Sequence, residues 1–296
     1  MAGRGKGYRV LWTFRGCSCT EGDWSPVDAR GMGRIGCAPV AGAVAVALLG
    51  CSAPRPEAAE PASVTDIAAV VGGDVAAVER ADLAGAFERA GAEGAFVLYD
   101  TRDRTSVLVD PEGARERAVP GETFDLVTAL AALQTGAVSR AGAVVGAGEA
   151  AHRDAVELVG RERLAVWVDR FEYGDRDVGA GEAEFWTEGP LEVSAVEQTE
   201  FLALLARGEL PVEPSHQEEL YAVTLVEEGP GYTLHGRADC DGSPGWWVGW
   251  VDGRERTRTF ALRLQEPPAG GAGTCEALGR ELLADLGVLP REPVTR

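Results

Sequence analysis

Residues 120–130 read PGETFDLVTAL. Pro120-Gly121 is turn chemistry, and the run behind it carries Phe124, Leu126, Val127 and Leu130, the apolar residues a helix needs for packing. A helix is expected over 123–134, closed by Gly136, because glycine takes the left-handed conformation that ends helices. Two carboxylates, Glu122 and Asp125, stand three residues apart at its start, within one helical turn of each other. What those two acids face decides what the domain can do.

Before this stretch, GAFVLYD (94–100) and TSVLVD (105–110) are apolar, β-prone runs joined by TRDR, the pattern of a hairpin. Residues 64–90 are Ala-rich and read as helix, with Leu83, Phe87 and Ala90 on one side. After it, residues 151–210 are mostly helical, broken by the Gly- and acid-rich segment FEYGDRDVGAGEAEFWTEGPL (171–191). Ser194 followed by Glu197 is a capping-box pattern that opens a helix. GYTLHGRA (231–238), GWWVGWVD (245–252) and TRTFALRL (257–264) are strand-like, and CEALGRELLADLG (275–287) is a closing helix. Helix and hairpin, helical middle, strands and final helix imply an α+β fold: an antiparallel sheet flanked by helices, with a helical subdomain.

The chain has 296 residues, is 45% hydrophobic and carries a net charge of −19. Phosphate contacts need clustered Lys and Arg, so nucleic acid is excluded as an expected partner. From Met32, the sequence MGRIGCAPVAGAVAVALLGCSA has one basic residue, Arg34, then an apolar run from Ala38 to Leu49. That run has signal-peptide length and is too short to span a bilayer. It ends in Leu48-Leu49-Gly50-Cys51, which resembles a bacterial lipobox and makes Cys51 the expected lipidation site. A buried apolar helix is the other reading, without an amphipathic pattern to support it. Residues 1–31, with three acids, two cysteines and two tryptophans, are a poor signal n-region, so they read as an extension ahead of a start at Met32. The expected organisation is extension 1–31, lipoprotein signal peptide 32–51, Pro/Ala/Glu tether 52–63 and domain 64–296. The body would then lie outside the cytoplasmic membrane, attached through lipid alone.

Five segments, in order, resemble the class D serine β-lactamases and related penicillin-sensing domains of the penicillin-recognising, transpeptidase-like fold. They are GAFVLYD, ARERAVPGETFDLVTALAALQTGAV, RERLAVWVDRFEYGDRDVG, EFWTEGPLEVSAVEQTEFLALLARGELPV and GWWVGWVD. The resemblance implies acyl-enzyme chemistry: an S-x-x-K serine attacks the lactam carbonyl, and its lysine, carbamylated in class D members, lies in an apolar pocket against a tryptophan. An S-x-V motif and a K-T-G strand complete the family's site.

On that pattern the nucleophile position is Glu122 and the lysine position is Asp125. Lys6 is the only lysine of the chain, so no shifted S-x-x-K exists in the body. Arginine cannot replace the lysine as a base, because it stays protonated. The S-x-V region is shortened, and its nearest counterpart is Ala147-Gly148-Glu149; K-T-G becomes Arg237-Ala238-Asp239, and Y-G-N becomes Tyr173-Gly174-Asp175. Trp186 is the retained pocket tryptophan, expected to pack against Asp125.

The family's order of elements places Cys240 and Cys275 at one edge of the sheet, which implies a disulfide; two separate buried thiols are the alternative. His152, His216 and His235 share no metal-ligand spacing, and neither a metal nor a cofactor is expected. Glu122, Asp125 and Asp239 could converge, either as a solvated pocket partly neutralised by Arg237 or around a hard cation. The resulting expectation is an exported lipoprotein without hydrolytic activity that binds a cell-wall peptide, a β-lactam or a surface protein partner. The competing one is β-lactam hydrolysis or another acyl transfer through a carboxylate.

Overall fold

The computed structural model describes residues 76–181, 184–267 and 271–291. The expectations for the extension, the signal peptide, Cys51 and the tether fall outside the described residues. Within them, seven strands form one sheet in the order β1-β3-β2-β7-β6-β5-β4. The strands are β1 Ala76–Glu79, β2 Gly94–Asp100, β3 Thr105–Val109, β4 Leu225–Gly229, β5 Tyr232–Asp239, β6 Gly245–Gly253 and β7 Thr257–Leu264. All neighbours pair antiparallel except β1, which runs parallel to β3. Among the described residues no helix is long and apolar enough to cross a membrane.

The helices are α1 Ala84–Ala90, α2 Asp125–Thr135, α3 Glu149–Val159, α4 Arg161–Arg170, α5 Ala195–Ala206, α6 Pro214–Thr224 and α7 Ala272–Asp285. The hairpin, the helix ending at Gly136, the late strands and the final helix stand where the sequence puts them. The Ser194–Glu197 capping box is complete: the Ser194 oxygen accepts from the Glu197 N–H at 3.2 Å, and Glu197 accepts from the Ser194 N–H at 2.9 Å.

One expectation is corrected. Residues 76–79 are strand rather than helix, because pairing with β3, from Ala76 opposite Thr105 to Glu79 opposite Leu108, overrides the helical preference of an Ala-rich stretch. The helix shrinks to Ala84–Ala90, with Phe87 buried on it and Leu83 buried just ahead of it. Helix α6 and edge strand β4 are additions that the sequence reading did not mark.

Both faces of the sheet are covered, and the period-two alternation of each central strand feeds two cores. Ala95 and Val97 of β2, with Trp246, Val248 and Trp250 of β6, pack among α2 to α6. Phe96 and Leu98, with Trp247 and Val251, pack against α1 and α7. Helix α7 reaches Trp247 only because Gly279 lacks a side chain; a Cβ there would stand 2.1 Å from the indole.

On α5, Glu200 lines a small niche with Tyr99, Ser106 and Arg115. Burial, and then repulsion from Glu197, pushes its carboxyl up to about 7.

Gly279→Ala, a change that ordinarily favours a helix by about 1 kcal/mol, is expected to destabilise the domain by roughly 1–3 kcal/mol through overpacking, read by urea denaturation. Between the ordinary carboxyl range and pH 7, the unfolded chain has released the Glu200 proton and the folded chain has not, so stability falls as pH rises through this window. Glu200→Gln removes that slope: the variant gains on the parent at pH 8 and not at pH 4, as thermal midpoints will show.

Candidate functional site

The site forms where the C-terminal end of β5 crosses the start of α2. Residues two apart on a strand share a face, and residues three apart share a helical turn, so two pairs meet across the crossing. Arg237 Nε donates to Asp125 Oδ2 at 2.7 Å. Asp239 Oδ2 accepts the Glu122 backbone N–H at 2.6 Å. Ala238, between them, turns to the opposite face and packs with the α1/α7 core. The approach requires Gly121: it has φ +57, and a Cβ there would stand 2.2 Å from Asp239 Oδ2.

Asp125 is fully buried, at 0% exposure. Its Oδ2 also accepts the Gly146 N–H at 3.0 Å, while Oδ1 has no hydrogen-bond partner among the described residues. Burial pushes this carboxyl up against the opposing pull of Arg237, His152 and the Gly146 N–H. Ala147, the sequence's nearest S-x-V counterpart, is exposed; it is the peptide of Gly146 that reaches Asp125.

Glu122 is half-buried, and its carboxylate lies between two rings. Trp186 Nε1 donates to Oε1 at 3.3 Å, and His152 Nδ1 stands 3.3 Å from Oε2. Burial opposes the charge of Glu122, but His152, Trp186 and Arg237 outweigh it and hold the carboxyl below its ordinary range. The indole N–H of Trp186 serves Glu122, and its ring lies 4.6 Å from His152 and 6.3 Å from Phe124. Asp239 is pushed up, first by burial and also by repulsion from Glu122, although the Glu122 N–H draws it down.

The sequence reading passed over His152 for want of ligand spacing. The signal lay in helical periodicity: His152, Ala155, Val156 and Val159 form the buried stripe of α3. The ring is completely buried, with Nε2 3.0 Å from Thr128 Oγ1 on α2, which makes a Thr128–His152–Glu122 chain.

The cysteines pair as the resemblance implied. Cys240 and Cys275 form a disulfide with Cα atoms 6.4 Å apart, and it fastens the residue after Asp239 to the first turn of α7. Closing a 35-residue span contributes about 4 kcal/mol in the chain-entropy account. Tyr173, of the Y-G-N counterpart, is buried 5.8 Å from Phe124, while Asp175 accepts the Glu192 N–H at 3.1 Å and closes a loop. The three acids thus converge, but their nearest partners come from the protein itself: Arg237 and Gly146 for Asp125, His152 and Trp186 for Glu122, and a peptide N–H for Asp239.

Arg237→Ala strands a buried carboxyl, so a loss of ~3 kcal/mol is expected in chemical denaturation. The Arg237→Ala/Asp125→Ala double variant should recover part of it, a coupling that two independent sites would not give.

No family model matches the chain. Beta-lactamase OXA-2 of Salmonella typhimurium is 30% identical over 242 residues, which span 73% of this chain and 88% of that protein. The probable beta-lactamase YbxI of Bacillus subtilis (strain 168) is 28% identical over 200 residues, 59% of this chain and 75% of the relative. Among solved structures, FUS-1 (OXA-85), a class D beta-lactamase from Fusobacterium nucleatum subsp. polymorphum, superposes with a TM-score of 0.65 at 25% identity, covering 72% of this chain and all of that one. Ordered sequence motifs, sheet topology and these relatives agree: the chain belongs to the class D β-lactamase family.

Proposed function

We propose that this member of the family has given up acyl-enzyme formation and acts by binding. The observation that carries the reading is the pair of positions at the start of α2. Where the family pattern has a serine there is Glu122, whose peptide N–H is taken by Asp239; where it has a lysine there is Asp125, ion-paired to Arg237. No lysine follows Lys6, so nothing in the domain can be carbamylated to act as base. Arg237, the cation of the third motif, is spent on Asp125 instead of facing a ligand carboxylate.

In this reading the protein is exported and lipid-anchored at Cys51, and the domain meets a cell-wall peptide, a β-lactam or a surface protein outside the membrane. The leader pattern of residues 32–51 supports the placement.

One observation favours a second reading. Glu122 is oriented by His152 and Trp186 and held ionised, as a carboxylate nucleophile would be. Attack by its oxygen on a lactam carbonyl would break the C–N bond, with a water molecule protonating the released nitrogen, and leave a mixed anhydride that the resulting hydroxide or a further water cleaves to regenerate the Glu122 carboxylate.

Intact-mass measurement after incubation with a labelled penicillin separates the two. An unmodified mass and nitrocefin turnover at background are expected. A covalent adduct, or turnover that disappears in Glu122→Ala, would establish the carboxylate enzyme instead.

A further inference from the structure

We infer a second binding surface, beside α1: a groove with carboxylate walls and an apolar floor that takes a basic, extended peptide segment of another protein. It goes beyond the reading of the Glu122 site and does not depend on it.

Two cavities make the groove. One, of about 400 Å³, lies between α1 and the ends of β2 and β3; the other, of about 540 Å³, follows the loop that leaves β3. Asp110 and Gln265 line both, so the two adjoin, and each has the size of a ligand site. Ala84, Phe87, Ala92 and Val109 give the first its apolar floor. Glu79, Glu88, Glu93 and Asp110 stand around that floor, and Glu112 and Glu116 continue the wall along the second. Against these carboxylates the lining holds one cation, Arg115, whose Nη1 donates to the Pro111 carbonyl at 2.7 Å. Glu116 is answered from below by the buried Arg263 at 2.7 Å; the other acids have no ion pair among the described residues. Arg89, next to Glu88 in the chain, gives its guanidinium to Glu281. Carboxylates gathered in this way repel one another, and a cationic partner relieves the repulsion.

The wall is held in shape by the fold. Asp110 Oδ1 accepts the Gly113 N–H at 3.1 Å, Arg263 Nη2 donates to the Gly113 carbonyl at 3.0 Å, and the Gln265 N–H donates to the Glu93 carbonyl at 2.9 Å. Shape and charge together select the occupant. A small cation uses the carboxylates and leaves the floor uncovered. An arginine or lysine side chain lays its aliphatic stem on apolar surface and keeps its charged head among acids. Two adjoining cavities suit successive basic side chains of one extended segment. A second copy of this chain, at a net charge of −19, would bring like charge. The groove is also separate from the Glu122 site: β3 and β5 stand four strand spacings apart in the sheet, roughly 19 Å.

The test is fluorescence anisotropy of a labelled Arg-Leu-Arg-Leu-Arg-Leu peptide at physiological salt, with the amide resonances of the protein followed in parallel. The peptide is expected to bind and to shift the Glu93, Asp110 and Gln265 amides. Glu88→Gln/Glu93→Gln/Glu112→Gln should weaken binding about tenfold, at roughly two- to threefold for each exposed charge pair lost. Glu157→Gln/Glu162→Gln/Glu255→Gln removes the same charge from exposed positions outside the groove, and screening should hold its effect below about twofold.

Equal weakening by the two variants would reduce the effect to general acidity and overturn the groove. Absence of binding, or shifts centred on the Glu122 turn, would overturn it as well. Displacement of the peptide by spermine at equal charge concentration would overturn the peptide as occupant in favour of a small polyamine. If the groove variant does not fold, the amide shifts of the native protein decide by themselves. Penicillin labelling reads the Glu122 site alone, so either idea can fail without the other.

Discussion

The double strap between β5 and the start of α2 is the constraint from which the rest of the site follows. A strand advances about 6.6–6.8 Å in two residues, and a helix about 4.5 Å along its axis in three, so Arg237 and Asp239 can address Asp125 and Glu122 in parallel. One strap is an ion pair and the other a carboxylate on a peptide N–H, at 2.7 and 2.6 Å. The sheet and the helical region are thereby joined at the point where the family's chemistry takes place.

Behind the strap, the aromatic floor explains why Glu122 stays charged although it is half-buried. His152 and Trp186 each offer a ring nitrogen to one carboxylate oxygen, and Phe124 packs beneath them. Asp125, by contrast, is fully enclosed, and burial dominates there despite Arg237. Two carboxylates a turn apart on one helix are therefore driven in opposite directions, one ionised by its neighbours and the other resisting ionisation.

Much of the scaffold was legible because it is written in local patterns. Alternating residues in GAFVLYD and GWWVGWVD mark strands buried on both faces, Ser194 and Glu197 mark a helix start, and Gly136 marks a helix end. What was misread depends on partners far along the chain. Ala76–Glu79 has helical composition and becomes strand only because β3 offers a free edge. The indole N–H of Trp186 goes to Glu122, 64 residues away, a pairing that no local pattern announces. His152 was overlooked because its importance lies in the facing of α3, not in any spacing to another ligand.

The sequence by itself determined which residue types are available: no lysine follows Lys6, and Glu122 and Asp125 open the helix, facts of residue identity alone. It also carried the family, since the motifs survive in order. Only the tertiary structure decided what the replacements do. Asp125 and Arg237 are 112 residues apart and Glu122 and Asp239 are 117 apart, so no local pattern could pair them. The packing of β5 onto α2 brings these charges into an interior of low dielectric. There an unpaired charge is costly, so the acids find their partners within the fold.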